Sequence, residues 1–150
     1  MSGNADAVPL LAGKGDKLDD KFLILGMFPS LTPPQAISFD DNAPLSALLD
    51  AGLSVELPDD SGFTLLDDAV IANRVDAARL LIARGANVNA VDKNGMTPLM
   101  YAASIDFGDS AMIALLVKSG AKREARTKEG LTAVELARKY EHVHMVKSLE

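Results

Sequence analysis

The feature that most constrains this chain is a recurrence held at fixed spacing. Three segments open with Gly-x-Thr and run into a short helical stretch: Gly62-Phe63-Thr64-Leu65-Leu66, Gly95-Met96-Thr97-Pro98-Leu99 and Gly130-Leu131-Thr132-Ala133-Val134. A second signature, a double aliphatic pair running into Gly, recurs out of phase with the first. It reads Leu48-Leu49-Asp50-Ala51-Gly52, Leu80-Leu81-Ile82-Ala83-Arg84-Gly85 and Leu115-Leu116-Val117-Lys118-Ser119-Gly120. Gly52 to Gly85 and Gly62 to Gly95 both span 33 residues, while Gly85 to Gly120 and Gly95 to Gly130 both span 35. One two-residue insertion accounts for both longer intervals. Periods of this length are the mark of stacked supersecondary units rather than of a single closed core.

The residues of one unit say what it folds into. Thr64, Thr97 and Thr132 stand where a hydroxyl can cap the free amides of a helix, and Pro98 is tolerated in the first turn. Ala69, Ala102, Ala103 and Ala137 let that helix lie close to its neighbours. A second helix carries apolar residues at helical spacing, as in Ala77-Ala78-x-Leu80-Leu81 and Met112-Ile113-x-Leu115-Leu116. Gly85 and Gly120 then end it, in the left-handed conformation that Gly adopts most easily. The stretch Asn87 to Gly95, rich in turn formers, predicts a hairpin loop. No single helix pair can bury its apolar face alone, so the units must stack.

On these residues the chain resembles the ankyrin-repeat family. Asp92-Lys93-Asn94-Gly95-Met96-Thr97-Pro98-Leu99-Met100-Tyr101-Ala102-Ala103 follows the family pattern nearly throughout, as does the run from Leu80 to Ala90. The resemblance implies an all-α solenoid of stacked helix–turn–helix units linked by β-hairpin loops. It divides the chain into a half-repeat at 2–19 and repeats one to four at about 20–55, 56–88, 89–123 and 124–150, forming one domain. Several positions depart from the pattern. Asp67, Met100 and Glu135 stand where the family commonly has the His that hydrogen-bonds between repeats. Pro9 falls inside the first helix and shortens or kinks it. The interval from Gly15 to Leu31 exceeds that from Gly52 to Thr64 by four residues, which predicts an enlarged hairpin at 19–29. Its Phe22, Leu23, Ile24, Leu25, Met27 and Phe28 either pack as a cover or form a sticky contact.

Catalytic chemistry has little to stand on. The adjacent carboxylates Asp59-Asp60 and Asp67-Asp68 diverge on a turn or helix, whereas general acid–base work needs converging groups in a pocket. Gly13-Lys14-Gly15 lacks the leading Gly and the Ser or Thr of a phosphate loop. Asp92-Lys93-Asn94-Gly95 lacks the later ligands of a calcium loop and reads as a turn. His142 and His144 point to different faces of one helix, so they make no metal pair. No catalytic, cofactor or metal site is expected, and no enzyme. The chain contains no Cys, which excludes thiolate metal sites and disulfides but leaves the compartment open between cytosol and periplasm. The longest aliphatic stretch, Phe22 to Leu25, is far too short to span a bilayer.

The net charge of −6 speaks against nucleic acid as the partner. Charge is also uneven. From Asp40 to Asp68 all eight ionisable residues are acidic, while from Lys118 to Lys139 seven basic residues outnumber three acidic ones. A solvated surface and a polarised binding surface both fit that pattern.

Family resemblance further implies that another protein binds a concave surface made by hairpin tips and first helices; a monomeric array is expected, with neither membrane nor nucleic acid as partner. Carried over position by position, the candidates are Asp60, Ser61, Phe63, Asp68 and Ile71 in repeat two. Repeat three contributes Lys93, Asn94, Met96, Tyr101, Ser104 and Ile105, and repeat four Lys128, Glu129, Leu131 and Lys139; Gln35 and Phe39 are weaker candidates in repeat one. Among these, Phe63, Met96, Tyr101 and Leu131 are the apolar contact candidates, although Phe63 and Leu131 serve equally well as covers for neighbouring turns. A scaffold without a dedicated partner, excised or engineered, is the alternative. It should scatter polar residues over that face, whereas a dedicated binder should show a contiguous apolar patch with charged edges.

Overall fold

The computed structural model describes Ile37 and residues 42–150. The half-repeat at 2–19, Pro9, the 19–29 hairpin, Gln35 and Phe39 lie outside the described residues. Among those described, seven helices form: α1 (Ala43–Asp50), α2 (Leu65–Ile71), α3 (Val75–Ala83), α4 (Pro98–Ser104), α5 (Ala111–Lys118), α6 (Ala133–Lys139) and α7 (Val143–Leu149). There is no strand among them. Helices α2 and α3, α4 and α5, and α6 and α7 pack as consecutive pairs. The first helices stack as α2–α4–α6 and the second helices as α3–α5–α7, which is the all-α stack of paired helices that the recurrence predicts.

Each first helix is started by the same device. Thr64, Thr97 and Thr132 are N-caps in extended conformation, and each accepts a hydrogen bond from the amide three residues on. The third helical residue returns the contact. Asp67 Oδ2 accepts from the Thr64 amide at 2.9 Å, Glu135 Oε2 from the Thr132 amide at 2.7 Å, and Met100 Sδ from the Thr97 amide at 3.4 Å. Asp67, Met100 and Glu135 thus close a capping box in their own repeat, a reciprocal pairing that satisfies two orphan amides.

The small residues behave as their size requires. Ala69, Ala102, Ala103 and Ala137 are fully buried, so the first helices approach closely. Ala77, Ala78 and Leu81 in α3, and Met112, Ile113 and Leu116 in α5, form the buried stripes of the second helices. They join Ile37 and Leu45, Leu48 and Leu49 of α1 in one continuous core. Fully burying such a Leu or Met is worth about 1.5–3 kcal/mol. Gly85 and Gly120 end α3 and α5 at φ +94°, the left-handed conformation expected of them.

The two extra residues of the longer period fall between α4 and α5. That connection runs from Ile105 to Ser110, whereas α2–α3 and α6–α7 are joined by three residues each. Asp106 and Asp109 fold it by accepting from the Gly108 and Ala111 amides at 2.8 and 2.9 Å. Both histidines meet this part of repeat three. His142 Nδ1 lies 3.0 Å from the Ala103 carbonyl oxygen, and His144 Nε2 lies 3.4 Å from Asp106 Oδ1.

Candidate interaction site

Between each second helix and the next first helix the chain turns back on itself, and one side chain braces every turn. Asp59 Oδ1 accepts from the Ser61 and Phe63 amides at 2.7 and 3.0 Å. Asp92 Oδ1 accepts from the Asn94 and Met96 amides, both at 2.8 Å. Thr127 Oγ1 takes the same role toward Glu129 and Leu131 at 3.2 Å. The tips are then tied to each other. Lys93 donates its amide to the Ser61 carbonyl, and Lys128 donates its own to the Asn94 carbonyl, each at 3.1 Å. Lower down, Glu56 accepts from the Asn87 amide, while Asn89 accepts from the Lys122 amide and donates to the Gly120 carbonyl. The backbones of Ser61, Lys93, Asn94 and Lys128 therefore serve the stack, which leaves their exposed side chains outward.

A groove of about 430 Å³ opens between repeats three and four on the face made by tips and first helices. Of the candidates, Asn94, Met96, Tyr101, Ser104, Lys128, Glu129 and Lys139 line it. Thr127, Leu136 and Tyr140 complete the lining and were not among the sequence candidates. The repeat register contains the signal for two of these. Leu136 stands 35 residues after Tyr101, and Tyr140 stands 35 after Ile105, so both occupy positions already singled out one repeat earlier.

The remaining candidates lie elsewhere. Asp60, Ser61 and Lys93 are exposed on the tips of repeats two and three, and Ile71 is exposed at the end of α2. Phe63 is half-buried, its ring centroid 5.2 Å from that of Tyr101 in a tilted arrangement. Asp68, Ile105 and Leu131 are half-buried, and Leu131 packs against the core beneath the last tip. Met96, Tyr101 and Leu131 are thus shared between core and surface, and Phe63 is half-buried against Tyr101. Tyr101 is tied down further, for its hydroxyl donates to Asp92 Oδ2 at 2.5 Å.

Electrostatics divide the face. Burial, reinforced by Asp59 and Asp67, pushes the Asp68 carboxyl up to about 6. Asp67 is raised as well, by burial first, against the lowering effect of its bonds from Thr64. Burial would also raise Asp92, but donation from Tyr101, Met96 and Asn94 outweighs it and holds the carboxyl below its ordinary value. Burial and the Asp92 carboxylate together keep the Tyr101 phenol well above its own. Around the groove the sign reverses. Lys128 makes no ion pair among the described residues, and Lys139 meets Glu129 only at 3.9 Å, its ammonium 5.8 Å from the Tyr140 ring. No cluster of three potential metal ligands occurs among the described residues, and none of their helices is long and apolar enough to cross a membrane.

Helix pairs stacked in register, hairpin tips bonded edge to edge and Thr-capped first helices define a repeat solenoid of one class. A family model for ankyrin repeats (many copies) matches residues 66–117. The chain is 50% identical over 64 residues to the ankyrin repeat and LEM domain-containing protein 1 homolog of Caenorhabditis elegans, covering 43% of this chain and 9% of that protein. It is 39% identical over 108 residues to the mouse RelA-associated inhibitor, covering 61% and 13%. It is 33% identical over 125 residues to the glycerophosphocholine phosphodiesterase gde1 of Schizosaccharomyces pombe, covering 81% and 11%. The chain therefore spans about a tenth of the length of these relatives. It is an ankyrin-repeat protein. Ankyrin repeats generally mediate protein–protein interactions and are typically non-enzymatic, although the fission yeast relative carries an enzyme's name.

Proposed function

We propose that this chain is a protein-interaction module without catalytic activity of its own, and that a partner protein docks on the face built from hairpin tips and first helices. One observation carries the reading: the groove between repeats three and four. Met96, Tyr101, Leu136 and Tyr140 line it together with the polar Asn94, Ser104 and Thr127 and the charged Lys128, Glu129 and Lys139. Apolar and charged side chains meeting in one groove support the reading of an interaction patch, where apolar contacts and a polar rim occur together. The fixed backbone supports the same reading, since a surface held by inter-repeat hydrogen bonds loses little freedom on binding. Division of the array into a half-repeat at 2–19 and four repeats to 150 belongs to this proposal, as do a monomeric state and a partner that is neither nucleic acid nor membrane.

Capture from a lysate of the source organism tests it, with three forms of the chain matched for helical content. The wild type is compared with Lys139→Ala/Tyr140→Ala in the groove and with Arg79→Ala/Lys118→Ala on the second helices. A protein held by the wild type and the second-helix variant but lost from the groove variant is the expected result. Retention that ignores the groove variant removes the site. No specific retention by any form favours the scaffold alternative.

A further inference from the structure

The groove has a chemistry of its own that says what kind of segment fits it. On a chain with a net charge of −6, its open side carries Lys128 and Lys139, with Lys93 exposed on the neighbouring tip. Lys128 has no carboxylate partner among the described residues. Lys139 has only Glu129, at a distance where a good ion pair has not closed. Both lysines and Glu129 are exposed, so an incoming anion can meet them without first breaking buried contacts.

The opposite end of the same face is closed to such an anion. Asp59, Asp60 and Asp68 lie around the tip and first helix of repeat two, and Asp68 already holds its proton up to about pH 6 because of burial and its acidic neighbours. A carboxylate placed there would meet like charge, which costs binding. Beside the lysines, the floor of Met96, Leu136, Tyr101 and Tyr140 offers about 430 Å³, at the lower end of the range for pockets that enclose a ligand group (about 300–1,000 Å³). Met and aromatic rings adapt to a side chain inserted between them.

We propose that this groove receives an aromatic or aliphatic side chain from a segment of the partner protein, and that an Asp or Glu close beside that anchor pairs with Lys128 and Lys139. The acidic residue lies on the side of the anchor facing repeat four, because repeat two repels it. Glu129 acts as a weak internal competitor, since its carboxylate stands 3.9 Å from the Lys139 ammonium in the free protein and repels the incoming carboxylate. The inference rests on the interaction reading above and adds the partner's chemistry to it.

A displayed library of random peptides about twelve residues long is the probe, selected separately on the wild type, on Lys128→Glu/Lys139→Glu and on Glu129→Gln. All three positions are exposed, so the fold should persist, and matched helical content and melting confirm it. The wild type should enrich peptides that place an apolar or aromatic residue next to Asp or Glu. For a synthetic peptide of that kind, charge reversal should weaken binding about tenfold, the sum of two exposed pairs lost and turned repulsive. Glu129→Gln should strengthen it about twofold, a gain that a merely structural role for Glu129 would not give. Enriched peptides without an acidic preference, or binding indifferent to charge reversal, would overturn the proposal and leave the interaction reading in place. Failure to enrich any peptide overturns it too, and the lysate capture then judges the interaction reading separately.

Discussion

Gly95→Ala isolates what one hairpin tip contributes to the next. Gly95 has φ +76°, and a Cβ built on it would lie 3.1 Å from the Lys128 amide nitrogen and 3.4 Å from the Thr127 carbonyl carbon. Those atoms are backbone and cannot rotate away. The Lys128 amide is also the donor to Asn94 across the repeat boundary. Gly130 is the equivalent residue one repeat on, at φ +84°, and a Cβ there would meet nothing within 4 Å. Both substitutions carry the cost of holding Ala in a left-handed conformation, about 1 kcal/mol. Only Gly95→Ala also displaces Lys128 and loosens its hydrogen bond, which adds about 1 kcal/mol. Urea titration of the two variants should therefore separate them by about 1 kcal/mol. Amide hydrogen exchange supplies the local readout: protection at Lys128 should fall in Gly95→Ala and persist in Gly130→Ala. Equal destabilisation with Lys128 still protected would refute the claim that edge-to-edge tip bonding couples the repeats.

Two further perturbations test the electrostatics of the face. The carboxyl of Asp68 ionises near its ordinary value when unfolded but only at about 6 when folded, so the wild type loses stability as pH rises between those values. The upper bound is about 3 kcal/mol, and partial exposure cuts it to about 1. Asp68→Asn should be more stable than the wild type by that amount at pH 7.5 and equal to it at pH 3.5, read from urea midpoints; no gain at pH 7.5 would contradict the buried-charge account. Tyr101→Phe should cost about 1–2 kcal/mol at neutral pH by removing the donor to Asp92. Asp92 is held below its ordinary value when folded, so this gap is present above the unfolded value and should close as the folded carboxyl is protonated. A gap that stays constant down to pH 2 would deny the bond its charged acceptor.

Much of the fold was legible because the constraints are local or repeat at one interval. Thr caps, Ala at close approaches and Gly after the second helices each act within a few residues, so the pattern read from Gly52 to Gly130 carried over directly. Where the reading stopped, the missing information lay in pairings rather than in residue types. Asp67 and Glu135 stand where the family commonly has His, yet Thr followed by an acidic residue three positions on is itself a capping signature; Met100 fills the same place without that signal. Tyr101 was legible as a candidate but not as a tethered one, because its partner Asp92 stands nine residues upstream on the tip.

The groove shows the same limit on the functional side. Apolar residues at helical spacing predict that a face is covered, and Leu136 fits that expectation with only 5% of its surface exposed. A residue can satisfy the core and still floor a pocket, since lining requires only that some atoms face an opening left by its neighbours. Whether an opening remains depends on the side chains one repeat away, here Met96 and Tyr101, and so on how the two repeats sit together. The interval of 35 residues identifies Leu136 with Tyr101 and Tyr140 with Ile105, which marks the positions. In repeat two the equivalent of Tyr101 is the half-buried, charge-crowded Asp68, so the same scaffold position carries an apolar floor in one unit and a repulsive carboxylate in another. Repetition supplies the geometry of the face, and the departures from repetition set its local chemistry.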